Sequence, residues 1–141
     1  MIILDTNVIS EPLRGRPSAD VVAWLDAQAV ETLYLTTISL AEVRYGIACL
    51  PKGGRRQKLL DRFEGEFLPV FHGRTLAFDE PATTAYAALR AQARAKGRAI
   101  GDFDALIASI ASATGFTVAT RDTAPFEAAG VTVVNPFAEA E

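Results

Sequence analysis

Short apolar runs alternate with longer segments of helical periodicity along this chain. Five of the runs predict β-strands, namely Ile2–Leu4, Leu33–Thr36, residues 75–77, Thr117–Ala119 and residues 131–134. Strands separated by helices are typical of a parallel sheet that is covered on both faces. We therefore predict an α/β fold, a three-layer α/β/α sandwich around a central parallel sheet of about five strands, in a single domain of residues 1–141.

Capping residues and apolar stripes predict the helices between these strands. Ser18 predicts a helix through about residue 29, and Asp79 one that Gly97 ends. Ser39 opens an S-x-x-E capping box with Glu42, which predicts a helix to about residue 50. Two further helices are predicted by apolar stripes. One stripe consists of Leu60, Phe63, Phe67 and Phe71. The other consists of Phe103, Leu106, Ile107 and Ile110, in a helix from about Asp102 to Thr114 that Gly115 ends.

Four acidic residues lie just after a strand or at the start of a helix: Asp5, Glu42, Asp104 and Asp122. In an open parallel sheet, functional groups collect at the carboxyl edge of the strands, so all four acids should face one crevice. Crowded carboxylates repel and shift each other's pKa unless a cation joins them. We therefore predict that all four are metal ligands and catalytic residues.

Each acid also has a structural interpretation. Asp5 could cap a helix, although Thr6 or Asn7 would serve; Glu42 belongs to the capping box. Asp122 could be an N-cap or pair with Arg121. Asp102 is the preferred N-cap of its helix, which leaves Asp104 free, and the reverse assignment stays open. The joint placement of four acids on four segments favours the functional interpretation.

The donor set and the composition narrow the chemistry. Carboxylates together with a single histidine and a single cysteine favour one or two Mg²⁺ or Mn²⁺ ions over zinc. Such ions take up phosphate oxygens and activate water, which predicts phosphodiester hydrolysis. The net charge of −3 is unusual for an enzyme acting on nucleic acid, but two bound divalent cations would reverse it. The cationic residues occur in groups, most of which we interpret as solvent-exposed helix faces. Two of them, Arg14 and Arg94, are candidates for guiding the substrate strand.

The chain shows no targeting signal. Its apolar runs are too short to cross a bilayer, and the N-terminus lacks the basic and apolar regions of a signal peptide. One cysteine excludes an internal disulfide bond. We therefore expect a cytoplasmic protein without a membrane partner.

Four motifs resemble those of the PIN-domain VapC-type toxins, with the FitB branch the most similar. They are D-T-N-V-I-S-E at Asp5, A-E-V-R-Y-G around Glu42, D-A-L-I-A-S-I-A from Asp104 and T-R-D-x-x-x-F from Asp122. Their order and spacing cover essentially the whole chain. The resemblance implies a Mg²⁺- or Mn²⁺-dependent endoribonuclease toxin, with Thr6, Asn7 and Thr120 supporting the four acids.

The same resemblance implies partners. It predicts an RNA substrate, a homodimer and a cognate antitoxin, encoded next to the toxin, that folds across the cleft. Operator DNA would be bound only through that antitoxin.

Two alternatives stay open. A phosphatase of the haloacid-dehalogenase type also places an aspartate after its first strand, but its D-x-D motif has Asn7 at the second position here. Its helper lysine would have to be Lys96, because no other lysine lies in the downstream half. The second alternative is a non-catalytic component of a repressor that binds a metal or a partner.

Overall fold

Five parallel strands form the central sheet of the computed structural model, which describes residues 1–137. In chain order they are β1 (Ile2–Leu4), β2 (Leu33–Thr36), β3 (Thr75–Leu76), β4 (Thr117–Ala119) and β5 (Val133–Val134), and their order across the sheet is β3-β2-β1-β4-β5. The predicted parallel sheet of five strands is confirmed. Of the single domain predicted over residues 1–141, residues 138–141 lie outside the described residues.

Helices cover both faces of the sheet. They are α1 (Thr6–Ser10), α2 (Ala19–Ala27), α3 (Thr37–Ala48), α4 (Gly54–Arg62), α5 (Glu80–Ala95), α6 (Asp102–Thr114) and α7 (Thr123–Ala128), with short 3-10 turns at Glu11–Leu13, Val30–Thr32 and Leu68–Phe71. Within residues 1–137, none of the helices has the length and apolarity that crossing a membrane requires.

Two apolar cores, one on each side of the sheet, make the three layers. Because side chains alternate along a strand, Ile3 of β1 packs with α5, α6 and α7, whereas Leu4 packs with α1 to α4. Both side chains are fully buried. The predicted α/β/α sandwich is therefore confirmed, with β1 as its central strand.

The aromatic segment after α4 differs from the single helix that we predicted. It continues as a π turn (Phe63–Phe67), closed by a hydrogen bond from the Leu68 N–H to the Phe63 carbonyl, and then as a 3-10 turn. Pro69 has no N–H to donate and so cannot continue an α-helical ladder. The Phe67 ring still contacts both neighbours, with centroids 5.9 Å from Phe63 and 5.0 Å from Phe71.

Two helix starts also differ from the prediction. Helix α3 follows β2 without a loop, so Thr36 is its N-cap and accepts a hydrogen bond from the Ser39 N–H at 3.1 Å; the predicted capping box of Ser39 and Glu42 is wrong. Gly101, not Asp102, is the N-cap of α6. Phe103, predicted to lie on the apolar face of this helix, is 57% exposed because the first turn extends beyond the core.

The strand order places a crevice at the carboxyl end of β1 and β4. The chain passes from β1 to β2 on one side, while β4 lies on the other side and leads outward to β5. Ligand sites of open α/β sheets lie where strand order reverses in this way. Asp5 directly follows β1 and Thr120 directly follows β4, so both reach this crevice.

Candidate active site

Asp5 directly follows β1, the central strand of the sheet, and is only 5% exposed. It is the N-cap of α1, and its Oδ1 accepts a hydrogen bond from the Thr6 N–H at 2.8 Å. The structural and functional interpretations of Asp5 therefore coexist, and our expectation that Thr6 or Asn7 would cap in its place is wrong. The backbone of β1 fixes the carboxylate through a hydrogen bond from the Asp5 N–H to the Ala119 carbonyl at 2.9 Å.

The other oxygen of Asp5 is held by side chains from two neighbouring segments. The hydroxyl of Thr120, which is fully buried, donates to Asp5 Oδ2 at 2.8 Å. Asn7 Nδ2 lies 3.4 Å from the same oxygen and 3.3 Å from Thr120 Oγ1. Asn7 is itself oriented by the Arg121 N–H, which donates to its Oδ1 at 3.1 Å. These contacts give Asp5 one defined orientation.

Glu42 enters the site from the second turn of α3. The Thr6 hydroxyl donates to Glu42 Oε1 at 2.8 Å and contacts Ser39 Oγ at 3.1 Å. Ser39 is fully buried, and Glu42 is partly buried. Thr6 therefore links the N-cap of α1 to the acid of α3, which places Asp5 and Glu42 on adjoining sides of the crevice.

The two remaining acids, Asp104 and Asp122, lie near the starts of α6 and α7. Asp104 lies in the first turn of α6 and is partly buried, while Asp122 is exposed and precedes α7. The Asp122 N–H donates to Thr120 Oγ1 at 3.0 Å, but its side chain makes no capping hydrogen bond. Asp122 is therefore free of the capping role that was its structural alternative.

The four acids act on one another electrostatically. The pKa of Asp5 is raised to about 6, chiefly by burial and also by the charges of Asp104 and Glu42, while the hydrogen bonds from Thr120 and Thr6 act in the opposite direction. Burial also raises the pKa of Asp104, and the charges of Glu42 and Asp122 add to that shift. Each acid therefore interacts with at least one of the others, and together they form one cluster.

Among the residues that the structure describes, no cationic side chain neutralises this cluster. Within residues 1–137, no lysine or arginine side chain forms an ion pair with any of the four acids. Arg121 instead approaches Glu11 at 3.8 Å, so the predicted alternative of an Arg121–Asp122 pair is wrong. Asp102 pairs with Arg90 at 3.4 Å and is not among the charges that shift Asp5 or Asp104.

The chain matches the family model of the PIN domain over residues 2–131. It belongs to the PIN-domain family. The resemblance drawn from the four sequence motifs is thereby confirmed.

Three relatives align with this PIN domain along almost its whole length, over 137 residues and 97% of the chain in each case. Plasmid stability protein StbB of Pseudomonas syringae pv. tomato is 58% identical and is covered to 99%. VapC ribonuclease Y4jK of Sinorhizobium fredii is 54% identical and covered to 98%. Toxin FitB of Neisseria gonorrhoeae is 50% identical and covered to 99%.

Two solved structures share the fold of this PIN domain throughout. The crystal structure of FitAcB from Neisseria gonorrhoeae has a TM-score of 0.94 at 50% identity, over 97% of this chain and 99% of that chain. The structure of FitAB bound to an IR36 DNA fragment has a TM-score of 0.96 at 48% identity, over 100% and 99% of the two chains.

The donor set of this PIN domain suits a hard divalent cation. Carboxylate oxygens are the ligands that Mg²⁺ and Mn²⁺ prefer, and each oxygen of Asp5 can accept more than the contacts described above. Within residues 1–137, no three acidic, histidine or cysteine side chains enclose a space for an ion. Mg²⁺ commonly binds through one or two carboxylates while it keeps several waters, so a closed cage of three side chains is not required.

The two arginines predicted to guide a substrate lie in different places. Arg14 lines a groove of about 740 Å³ together with Glu42 and pairs with Glu11 at 3.3 Å. Arg94 lines a separate cavity of about 660 Å³ at the end of α5. Of these two arginines, Arg14 therefore shares its groove with Glu42, whereas none of the four acids lines the cavity of Arg94 within residues 1–137.

Sequence reasoning missed two contributors to the site. Ser39 was interpreted as a cap, yet its hydroxyl contacts Thr6, and Glu11 was noted only as part of a motif. Glu11 is 4% exposed, and its Oε1 accepts a hydrogen bond from the Ser18 N–H at 2.9 Å. The only sequence signal for Glu11 was its place at the end of the D-T-N-V-I-S-E motif, because its partners Ser18 and Arg121 are brought to it by the fold.

Proposed function

We propose that this PIN domain is the toxin of a type II toxin–antitoxin pair and a Mg²⁺- or Mn²⁺-dependent endoribonuclease. The observation that carries the proposal is the cluster of Asp5, Glu42, Asp104 and Asp122, which come from four separate segments and pair with no cation within residues 1–137. The names of the ribonuclease Y4jK and the toxin FitB, both at least half identical to this chain, support it.

Each acid has a part in this proposal. Asp5, Glu42 and Asp104 would hold the principal ion, and Asp122 would complete its shell or bridge to a second ion. When bound, the metal supplies positive charge for phosphate oxygens and lowers the pKa of a water molecule. The hydrogen bonds from Thr120 and Asn7 orient Asp5, and the one from Thr6 orients Glu42. Arg14 would contact the RNA backbone on the side of Glu42.

We further propose that a cognate antitoxin binds this PIN domain, that two copies form a homodimer in the cytoplasm, and that operator DNA is bound only through the antitoxin. The structures of FitAcB and of FitAB bound to a DNA fragment support a complex of this kind. The groove beside Glu42 has an apolar floor that includes Val43, Ile47 and Leu59, and such a surface suits a protein partner.

The direct test is RNA cleavage by the purified chain, freed of any bound partner. We expect cleavage with Mg²⁺ or Mn²⁺, none with EDTA, and a loss of at least ~100-fold for Asp5→Asn, as is typical when a group that stabilises the transition state is removed. Asp26→Asn is the matched control, because Asp26 is exposed on α2 and distant from the crevice. It should retain the activity of the wild type.

The outcomes separate the alternatives. Cleavage that survives both EDTA and Asp5→Asn contradicts the proposal. A protein that binds Mn²⁺ but cuts no RNA would favour the non-catalytic repressor component, and a covalent phosphate trapped on Asp5 would favour the phosphatase.

A further inference from the structure

An exposed aromatic ring stands beside the acid of α6. Phe103 is 57% exposed, although it precedes Asp104 directly in the first turn of the helix. Both side chains line one surface depression of about 400 Å³, together with Gly101 and Asp102. A large apolar side chain this exposed, beside a half-buried acid, is available for contact with a ligand.

A cavity lined by arginines adjoins this depression. It measures about 660 Å³ and lies between the end of α5 and the segment that leads to α6, with Arg90, Arg94, Arg98 and Ile100 among its lining residues. No acidic residue of the described chain lines it. Arg94 and Arg98 form no ion pair within residues 1–137, so their charges remain available to an anion.

Arg90 joins the two surfaces. Its guanidinium lines the arginine cavity, donates to the Ile100 carbonyl at 3.1 Å and pairs with Asp102 of the Phe103 depression at 3.4 Å. Asp104, the aromatic ring and the arginine cavity are therefore arranged in continuous order along the start of α6. Aromatic rings stack on nucleobases and guanidinium groups bind phosphates, so this order matches that of the groups in a nucleotide strand.

We propose that Phe103 stacks on a nucleobase next to the scissile phosphate, and that the arginine cavity binds the phosphate on the far side of that nucleotide. The inference rests on the proposed ribonuclease function. It extends that function by assigning single-stranded RNA to this side of the cleft, because a base within a duplex cannot present its face to a ring.

The first experiment measures RNA binding rather than cleavage. The cleavage site in a single-stranded RNA oligonucleotide is first mapped from the products that the wild type forms with Mn²⁺. Fluorescence anisotropy in the presence of Mg²⁺ then measures the binding of that RNA to the Asp5→Asn protein. In this background we expect Phe103→Ala to weaken binding about tenfold, the range typical of base–aromatic stacking. Phe103→Trp should retain the affinity. Val70→Ala is the matched control and should leave the RNA affinity unchanged. Val70 is an apolar side chain that is 48% exposed and lies near the amino ends of the strands.

A double-mutant cycle identifies the stacked base. Two further oligonucleotides each carry one abasic nucleotide, on the 5′ or the 3′ side of the mapped phosphate. We expect the effect of Phe103→Ala to disappear with one of them and to persist with the other. The combined Arg94→Gln and Arg98→Gln variant should lower the salt dependence of binding, because fewer counterions are released when fewer phosphates are neutralised.

Three results would overturn the inference. In the first, the Phe103→Ala variant binds every RNA as tightly as the Asp5→Asn protein does, or its binding is weakened equally for the intact and the abasic oligonucleotides. If the wild type still cleaves RNA in that case, the ribonuclease proposal stands and the stacking proposal does not. In the second, Phe103→Ala changes the oligomeric state of the RNA-free protein, measured by sedimentation, which would assign the ring to a contact between two copies of this chain. A wild type that neither binds nor cleaves RNA would overturn both proposals.

Discussion

At the scale of single residues, the carboxylate of Asp5 is 5% exposed and lies near the charges of Glu42 and Asp104. Burial raises its pKa from the ordinary value of 3.8 to about 6, despite two hydrogen bonds that favour the ionised form. The folded protein therefore binds a proton at Asp5 more tightly than the unfolded chain does. A bound divalent cation would compete with that proton and relieve the repulsion among the acids.

The stability of the metal-free protein should depend on pH through this residue. Because the pKa of Asp5 is higher in the folded state, its contribution is full below pH 3.8 and is lost as the pH rises through about 6. The shift corresponds to about 3 kcal/mol of unfolding free energy. We expect Asp5→Asn to lack this loss, so that its stability relative to the wild type improves between pH 4 and pH 7.5.

Urea unfolding in EDTA across this pH range measures the effect. The exposed-acid variant Asp26→Asn should follow the pH dependence of the wild type. If Asp5→Asn lost as much stability as the wild type between pH 4 and pH 7.5, the carboxylate of Asp5 would not be the source of the pH dependence.

At the scale of elements, Glu11 ties the start of the chain to the loop that carries Thr120 and Asp122. Its carboxylate contacts the Ser18 N–H at 2.9 Å, Arg14 at 3.3 Å and Arg121 at 3.8 Å. Burial alone would raise the pKa of Glu11, but the hydrogen bonds from Ser18 and Arg14 and the charges of Arg14 and Arg121 hold it below its usual range. Arg121 is also fixed by Phe137, whose ring lies 3.9 Å away.

We therefore expect Glu11→Gln to destabilise the protein by about 2 kcal/mol at pH 7, because it removes charge-assisted hydrogen bonds in a buried place. Glu64→Gln is the matched control. Glu64 pairs with Arg44 at 2.8 Å, but the two side chains are 34% and 49% exposed, so its loss should cost less than about 1 kcal/mol. Urea unfolding measures the free energy of unfolding of both variants. Equal losses would show that the contacts of Glu11 stabilise the protein no more than an exposed ion pair does.

Element boundaries were predictable where one residue sets them alone. Asp79 caps α5, and Gly115 ends α6 with a φ of 74°, both as the sequence predicted. The N-cap of α3 was not predictable, because β2 runs directly into the helix and Thr36 takes that position. The N-cap of α6 was missed because Gly101, which has no side chain to cap with, occupies a position that the sequence assigned to Asp102. The exposure of Phe103 was missed for a related reason, since the spacing of apolar residues does not reveal where the opposing layer ends.

At the scale of the whole molecule, parallel topology is what made the grouping of the acids predictable. A buried strand before Asp5 and another before Thr120 suffice to place both residues at one edge of the sheet. The separations among the carboxylates and the fixing of Asp5 by Thr120 could not be read from the sequence, because contacts across 115 positions depend on the packing of the layers. Net charge was equally uninformative, since four of the carboxylates that lower it are expected to hold the metal, whose charge would offset theirs.

The central claim is that four acids distant in sequence form one cleft that binds a divalent cation. Crystals of the partner-free protein soaked in Mn²⁺, with anomalous scattering recorded, test it most directly. We predict an anomalous peak within coordination distance of Asp5 and of at least one of Glu42, Asp104 and Asp122, and its absence in Asp5→Asn crystals. A map without a peak at these carboxylates, or one that shows them paired with arginine or lysine side chains of the same chain, would contradict the account.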